Sequence, residues 1–258
     1  MKRRTFVQYA GLSALSAAIA NLAAPTVLPS YAQAGGSVTI KSLGHTCFLF
    51  TGSGRSILVN PFRSIGCTAG YREPNVAADL VMISSRLFDE GVVSGLPGDP
   101  RVLGDTGIYE FQNMQVQGIA TDHDRFGGRR FGTNVVWRWN QGGLNILHMG
   151  GAAAPVTLEQ QILMGRPDVL LIPVGGRVKA YNAQEAKATI ELLNPKIVIP
   201  THYRTAAADA ESCDVSGLDE FLALMGDVPI RRSTDSTTLS PASLPGEGLR
   251  VEVIGYAF

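Results

Sequence analysis

Histidine and cysteine are scarce in this chain, and neither sign of charge is in surplus. There are four histidines and three cysteines in 258 residues, and 22 basic side chains stand against 22 acidic ones. The cysteines, Cys47, Cys67 and Cys213, show no C-x-x-C spacing and are odd in number. In an oxidising compartment one disulfide is available, Cys47 to Cys67 being the pairing considered, and the sequence does not decide it. A long apolar run is also missing. The one that ends near Ala24 is short for the roughly 20 residues of a membrane helix, and no second stretch of that length follows.

The first residues differ from the rest. "KRRTFVQ" sets Arg3 and Arg4 before Phe6, the apolar run follows, and "YAQA" offers a small-x-small cleavage site at Ala32 and Ala34. This reads as a twin-arginine export signal over residues 1–34, followed by a single domain over residues 35–258. The expected product is soluble, with no integral membrane segment, in a periplasm or a thylakoid lumen; an uncleaved N-terminal anchor is the alternative. No cysteine follows the cleavage site, which argues against a lipid anchor there. Losing Lys2, Arg3 and Arg4 leaves 19 basic against 22 acidic residues, a net −3, and such a chain has no footprint for nucleic acid. Its 224 residues, rich in Val, Ile and Leu, can bury one sizeable core.

What is present is a succession of short β-type runs bounded by Gly, Asn or Pro: "SVTIKS", "CFLFTG", "SILVNPF", "DLVMISS", "GIYEF" and "MQVQGIAT". "TNVVWRWNQGGLNILHMGG" reads as a hairpin. Trp137 and Trp139, two apart on its first strand, face one side, with the core as their expected place. Two helices carry capping boxes, Thr157 with Gln160 and Asn182 with Glu185. Each leads into an unalternating apolar strand, "DVLLIPVGG" or "KIVIPTHY", of the kind covered on both faces. A third helix is expected at "LDEFLALMG", a loose polar connection over residues 235–248, and a last strand at "LRVEVIGYAF". Two packed sheets with helices outside follow from this order.

Several stretches together resemble the metallo-β-lactamase superfamily, most closely its branch with ascorbate-6-phosphate lactonase-like hydrolases and the N-acylphosphatidylethanolamine-hydrolysing phospholipase D. The carriers are "LGHTCFLF", "SILVNPF", "ILHMGG", "DVLLIPVGG" and "AYNAQEAKATIELLNPKIVIPTHY", within residues 38–203. The resemblance implies an α/β (α+β) fold, a four-layer αββα sandwich of two mixed sheets with outer helices, and one or two divalent ions at one edge of the sheets. It also implies a ligand motif H-x-H-x-D-H, which here reads Ser85-Arg86-Leu87-Phe88-Asp89-Glu90. The later histidine corresponds to His123, the bridging aspartate to Gly151 and the final histidine to His202. What remains for metal is Asp89, Glu90, His123 and His202, too few for two ions held in the family's manner.

Two roles follow. The first is a non-catalytic binding or structural derivative without metal, its partner a small anionic ligand or a protein. In it Arg86, or one of Arg125, Arg129 and Arg130, compensates Asp89 and Glu90 in place of the ion. The plainer expectation for Arg86 is a surface pair with Asp89 or Glu90, and for Arg129 and Arg130 a solvated, glycine-flanked loop. The alternative role is a hydrolase of an ester, lactone or phosphodiester with one Zn, Mn or Fe held by Asp89, His202 and His123 or Glu90. The resemblance puts His45 on a strand near the site, where it could face a ligand, but a hydrogen-bonded core or edge histidine is the plainer expectation, and His148 is expected to pack beneath the site. Ser84 and Ser85 follow a strand, but no G-x-S-x-G elbow surrounds them.

Overall fold

The computed structural model describes residues 36–208, 211 and 213–256, all within one unit spanning residues 33–258. The expected export signal lies outside the described residues. The strands are β1 (Val38–Gly44), β2 (Cys47–Gly52), β3 (Arg55–Val59), β4 (Leu80–Met82), β5 (Arg101–Leu103), β6 (Gly107–Phe111) and β7 (Met114–Asp122). They continue with β8 (Thr133–Gln141), β9 (Leu144–His148), β10 (Val169–Pro173), β11 (Ile197–Thr201), β12 (Ile230–Ser233), β13 (Ser236–Leu239) and β14 (Arg250–Ile254). Three helices are α1 (Leu158–Met164), α2 (Ala183–Leu193) and α3 (Asp219–Met225).

Two mixed sheets form from these strands, one in the order β13-β1-β2-β3-β4-β5 and the other β12-β14-β11-β10-β9-β8-β7-β6. The inner core lies between them, with Ile40, Phe50, Ile57 and Leu80 from the first sheet meeting Val116, Trp137, Ile146, Leu171 and Ile199 from the second. Trp137 and Trp139 both belong to it, as their shared strand face predicts. The indole Nε1 of Trp137 donates to Ile83 O at 3.1 Å, so one buried polar group links the two sheets. On the outer face of the second sheet, the three helices pack through residues such as Met164, Ile190 and Phe221. The outer face of the first sheet buries Leu58, Phe62, Tyr71 and Val81, and the chain between β3 and β4, with a 3₁₀ turn at Gly66–Thr68, supplies that fourth layer. No helix among the described residues is long and apolar enough to cross a membrane.

Local signals explain most of this order. The β8–β9 hairpin turns at Gly142 and Gly143, whose φ values of 63° and 78° are those a two-residue primed turn requires. Both expected capping boxes form, with Thr157 accepting from Gln160 N and Asn182 from Glu185 N. The connection expected over residues 235–248 is corrected. Its start is β13, which pairs antiparallel with β1 and buries Leu239, because "STTL" has β-branched residues and an open edge beside it. The disulfide considered between Cys47 and Cys67 is also corrected, since Cys67 bonds Cys213 and Cys47 stays free and buried. Cys47 opens β2 beneath the outer layer, whereas Cys67 and Cys213 lie on loops at the sheets' edge.

Candidate functional site

Four chain segments meet where strands of both sheets end: the β1–β2 turn, the stretch after β4, the loop after β10 and the residues after β11. They carry His45, Asp89, Lys179 and His202 respectively. Ligand-type atoms of His45, Asp89 and His202 all lie within 4.8 Å of one another. The two imidazole rings stand 4.3 Å apart between centroids, and His202 N donates to His45 O at 3.3 Å. His45 Nε2 is 3.7 Å from Asp89 Oδ2, and the ammonium of Lys179 contacts the same oxygen.

Backbone conformation marks the same place. His45 and His202 both adopt positive φ, 55° and 51°, a left-handed conformation that costs a non-glycine residue of the order of 1 kcal/mol or more. That both strained histidines converge on one carboxylate is an arrangement the surrounding fold must hold. His45 Nε2 and both ring nitrogens of His202 are buried with no hydrogen-bond partner among the described residues. Burial pushes the His202 imidazole well below its ordinary range, with neighbouring His45 and Lys179 adding to the effect, so this ring is neutral. Burial would raise the Asp89 carboxyl, but His45 and Lys179 outweigh it and hold the group well below the usual carboxylate range. A neutral imidazole and an ionised carboxylate are the states in which these residues ligate a metal. The donor set, two imidazoles and one carboxylate, fits a single Zn, Mn or Fe ion with a position left open.

The other expected residues form a separate group. Glu90 and His123 are completely buried, and Glu90 Oε1 lies 3.5 Å from His123 Nε2. Ser85 Oγ donates to Glu90 Oε2 at 3.3 Å. Burial alone would raise the Glu90 carboxyl, yet the neighbouring His123 holds it below its ordinary value; Glu90 Oε1 and both ring nitrogens of His123 have no hydrogen-bond partner among the described residues. A Cβ added at Gly151 would lie 2.2 Å from His123 Nε2 and 2.4 Å from Glu90 Oε1. The pair therefore stands in the space that a side chain at residue 151 would need.

None of the arginines considered as a cation at the site reaches Asp89 or Glu90. Arg86 is 78% exposed and pairs with Asp105 at 3.7 Å, so its expected role beside Asp89 is corrected: it lies on the solvent side, and Lys179 supplies the cation. Arg129 donates to Phe126 O, and Arg130 stacks over Phe131. Their loop is folded by Asp124, whose carboxylate accepts from the backbone N–H groups of Phe126, Gly128, Arg130 and Phe131. Arg125 pairs with Glu185 and donates to Ala180 O at 2.9 Å and to Arg177 O, which ties down the loop that carries Lys179. His148 packs beneath the site as expected, with Nε2 to Thr46 O at 3.1 Å and Gly150 N donating to Nδ1.

Sequence reasoning missed two members. His45 stood in "LGHTC" as an edge histidine, and only the return of β11 beside the β1–β2 turn brings it to Asp89. Lys179 in "GGRVKAY" belongs to no pattern that marks a ligand.

The sequence profile of the family described as Beta-lactamase superfamily domain matches residues 39–202, well over half of the chain. The chain belongs to this family. It is similar to the UPF0173 metal-dependent hydrolase of Thermococcus onnurineus, 27% identical over 218 residues that span 74% of this chain and 93% of that protein. The UPF0173 metal-dependent hydrolase of Methanoregula boonei is 29% identical over 195 residues, 65% of this chain and 84% of its own length. Among solved structures, a metallo-β-lactamase superfamily protein of Thermotoga maritima superposes with a TM-score of 0.68 at 29% identity, covering 85% of this chain and all of that one. The two mixed sheets with outer helices are thus the metallo-β-lactamase fold. Among the described residues, the ligand-type side chains that converge are His45, Asp89 and His202.

Proposed function

We infer that the chain is a hydrolase using a single divalent ion, Zn, Mn or Fe, held by His45, Asp89 and His202, and that it acts on an ester, lactone or phosphodiester. The observation that carries this reading is the convergence of two buried imidazoles on one ionised carboxylate, with both ring nitrogens of His202 lacking a hydrogen-bond partner among the described residues. The metal-dependent hydrolases to which the chain is similar support the reaction class. Such an ion supplies Lewis acidity and lowers the pKa of water to near neutrality.

The protein's own part is positional. Burial keeps His202 neutral, the hydrogen bond from His202 N to His45 O fixes the two ring-bearing segments to each other, and Arg125 anchors the Lys179 loop. Lys179 lines the pocket with its ammonium against Asp89 Oδ2, where it compensates and positions that carboxylate. The test is hydrolysis of aryl ester, lactone and bis-aryl phosphodiester panels by chelator-treated protein with Zn, Mn or Fe restored. The reading requires activity that returns with metal and is lost in Asp89→Ala; activity indifferent to both overturns it.

One observation favours a second reading, a metal-free binding protein: Lys179 already compensates Asp89 as an ion would. Wild-type protein that takes up no metal even in excess would decide for it. We further propose export to an oxidising compartment, supported by Arg3 and Arg4 before the apolar run and by the Cys67–Cys213 disulfide. Export abolished by Arg3→Lys with Arg4→Lys is the expected result in a cell fractionation; unchanged export refutes the twin-arginine route.

A further inference from the structure

The site opens into a pocket of about 310 Å³, at the small end of the range for small-molecule sites. His45, Asp89, Lys179 and His202 lie among its lining residues, and its walls include Ile65, Leu87, Phe88, Phe131, Val178 and Val215. Three of these apolar side chains are left in water at its mouth: Phe88 is 65% exposed, Ile65 48% and Val178 37%. They come from three separate loops, so the patch is assembled by the fold rather than by one amphipathic segment. Contiguous exposed apolar surface beside a polar centre marks a binding site for an apolar group.

Charge decides which kind of ligand the mouth suits. The charged residues that line it are Asp89, Lys179, Arg177 and Asp214. Lys179 pairs with Asp89, while Arg177 Nε donates to Asp214 O and lies 3.8 Å from Asp214 Oδ2. Each positive side chain of the mouth already has an opposite partner, so apart from an ion held on Asp89 the walls add no surplus charge of their own. The rim is also held in place. The Cys67–Cys213 disulfide joins the loop of Ile65 to the loop of Val215, so little ordering is required when a ligand enters.

We propose that this pocket receives an apolar group, a straight alkyl chain or an aryl ring, laid along Ile65, Phe88 and Val178. Identifying that group as the acyl or alcohol part of a substrate rests on the hydrolase reading, and it narrows the substrate class to apolar esters and lactones. The wall residues would set chain-length preference while His45, Asp89 and His202 hold the reacting end.

The experiment uses chelator-treated full-length protein and neutral probes, 1-butanol, 1-hexanol and 1-octanol, titrated by saturation-transfer-difference NMR. Affinity should rise about two- to fourfold per added methylene, the upper figure being full burial of each CH₂. Phe88→Ser with Val178→Ser should flatten that series while melting temperature and zinc uptake stay as in the wild type, since both side chains are solvent-exposed. A flat series in the wild type, or one equally steep in the double variant, overturns the proposal. Its failure is distinct from failure of the hydrolase reading. A flat series with zinc bound leaves the ion site standing, and a steep series in protein that takes no zinc leaves the apolar pocket standing.

Discussion

A methyl group at residue 151 is the smallest change that challenges the arrangement of Glu90 and His123. Gly151 has no positive φ among the described backbone exceptions, so Gly151→Ala incurs no backbone penalty and its effect is contact alone. The added Cβ would stand 2.2 Å from His123 Nε2 and 2.4 Å from Glu90 Oε1, both on completely buried side chains. Both are enclosed on all sides and have no solvent to withdraw into, so the variant should lose about 1–3 kcal/mol, the usual range for overpacking. At about 2–4 °C per kcal/mol for a domain of this size, the melting temperature should fall by about 2–12 °C. Glu90→Ala alone should cost about 1–3 kcal/mol, because it leaves the buried Ser85 hydroxyl and the His123 ring without the carboxylate they face. The double variant is informative: Glu90→Ala vacates the space the methyl needs, so the two losses should add to less than their sum by about 0.5–3 kcal/mol. Thermal and urea unfolding of the four proteins measures this cycle. An unchanged melting temperature in Gly151→Ala, or strict additivity in the double variant, would refute the claim that the pair occupies the space at residue 151.

The buried imidazole of His148 is pushed down to about 4 from 6.5 by burial, so it binds a proton in the unfolded chain before the folded one. Its stabilising neutrality is full above pH 6.5 and is lost as pH falls through 6.5 towards 4, a loss of about 3 kcal/mol. Unfolding followed from pH 7 to 4 should show this slope, and a slope undiminished in His148→Gln would contradict it. Reducing the Cys67–Cys213 disulfide, or Cys67→Ser, should lower stability by about 2–4 kcal/mol, read from urea midpoints; buried Cys47 should resist alkylation until the chain unfolds. Lys179→Met should tighten zinc binding severalfold in calorimetric titration, since ammonium and ion compete for Asp89; weaker binding would show that Lys179 assists the ion instead. Arg125→Ala should lower activity with little change in melting temperature, because it frees the Lys179 loop; unaltered kinetics would remove that positioning role.

What was legible in the sequence is what local chemistry fixes. The β8–β9 hairpin announces itself in Gly142-Gly143, the two capping boxes in Thr157 and Asn182, and the buried strands β10 and β11 in their unbroken apolar runs. Asp89 and His202 were readable through the resemblance alone, which implied ligands at those positions. His45 and Lys179 were not, since each is near Asp89 only through pairings between distant segments. The fate of Glu90 was equally hidden. Its sequence position beside Asp89 suggested a shared site, whereas the turn through residues 86–90 directs it to His123 and into the space above Gly151. Arg86 illustrates the converse: adjacency to Asp89 placed it at the site on paper, and the same turn puts it in solvent.

The central claim is one ion on His45, Asp89 and His202. Metal content by plasma mass spectrometry, on protein purified without affinity tag or chelator and beside an Asp89→Ala, His202→Ala variant, tests it most directly. The account predicts close to one equivalent of zinc, manganese or iron in the wild type and none in the variant. Two equivalents, or no metal in the wild type even after incubation with excess, would contradict it.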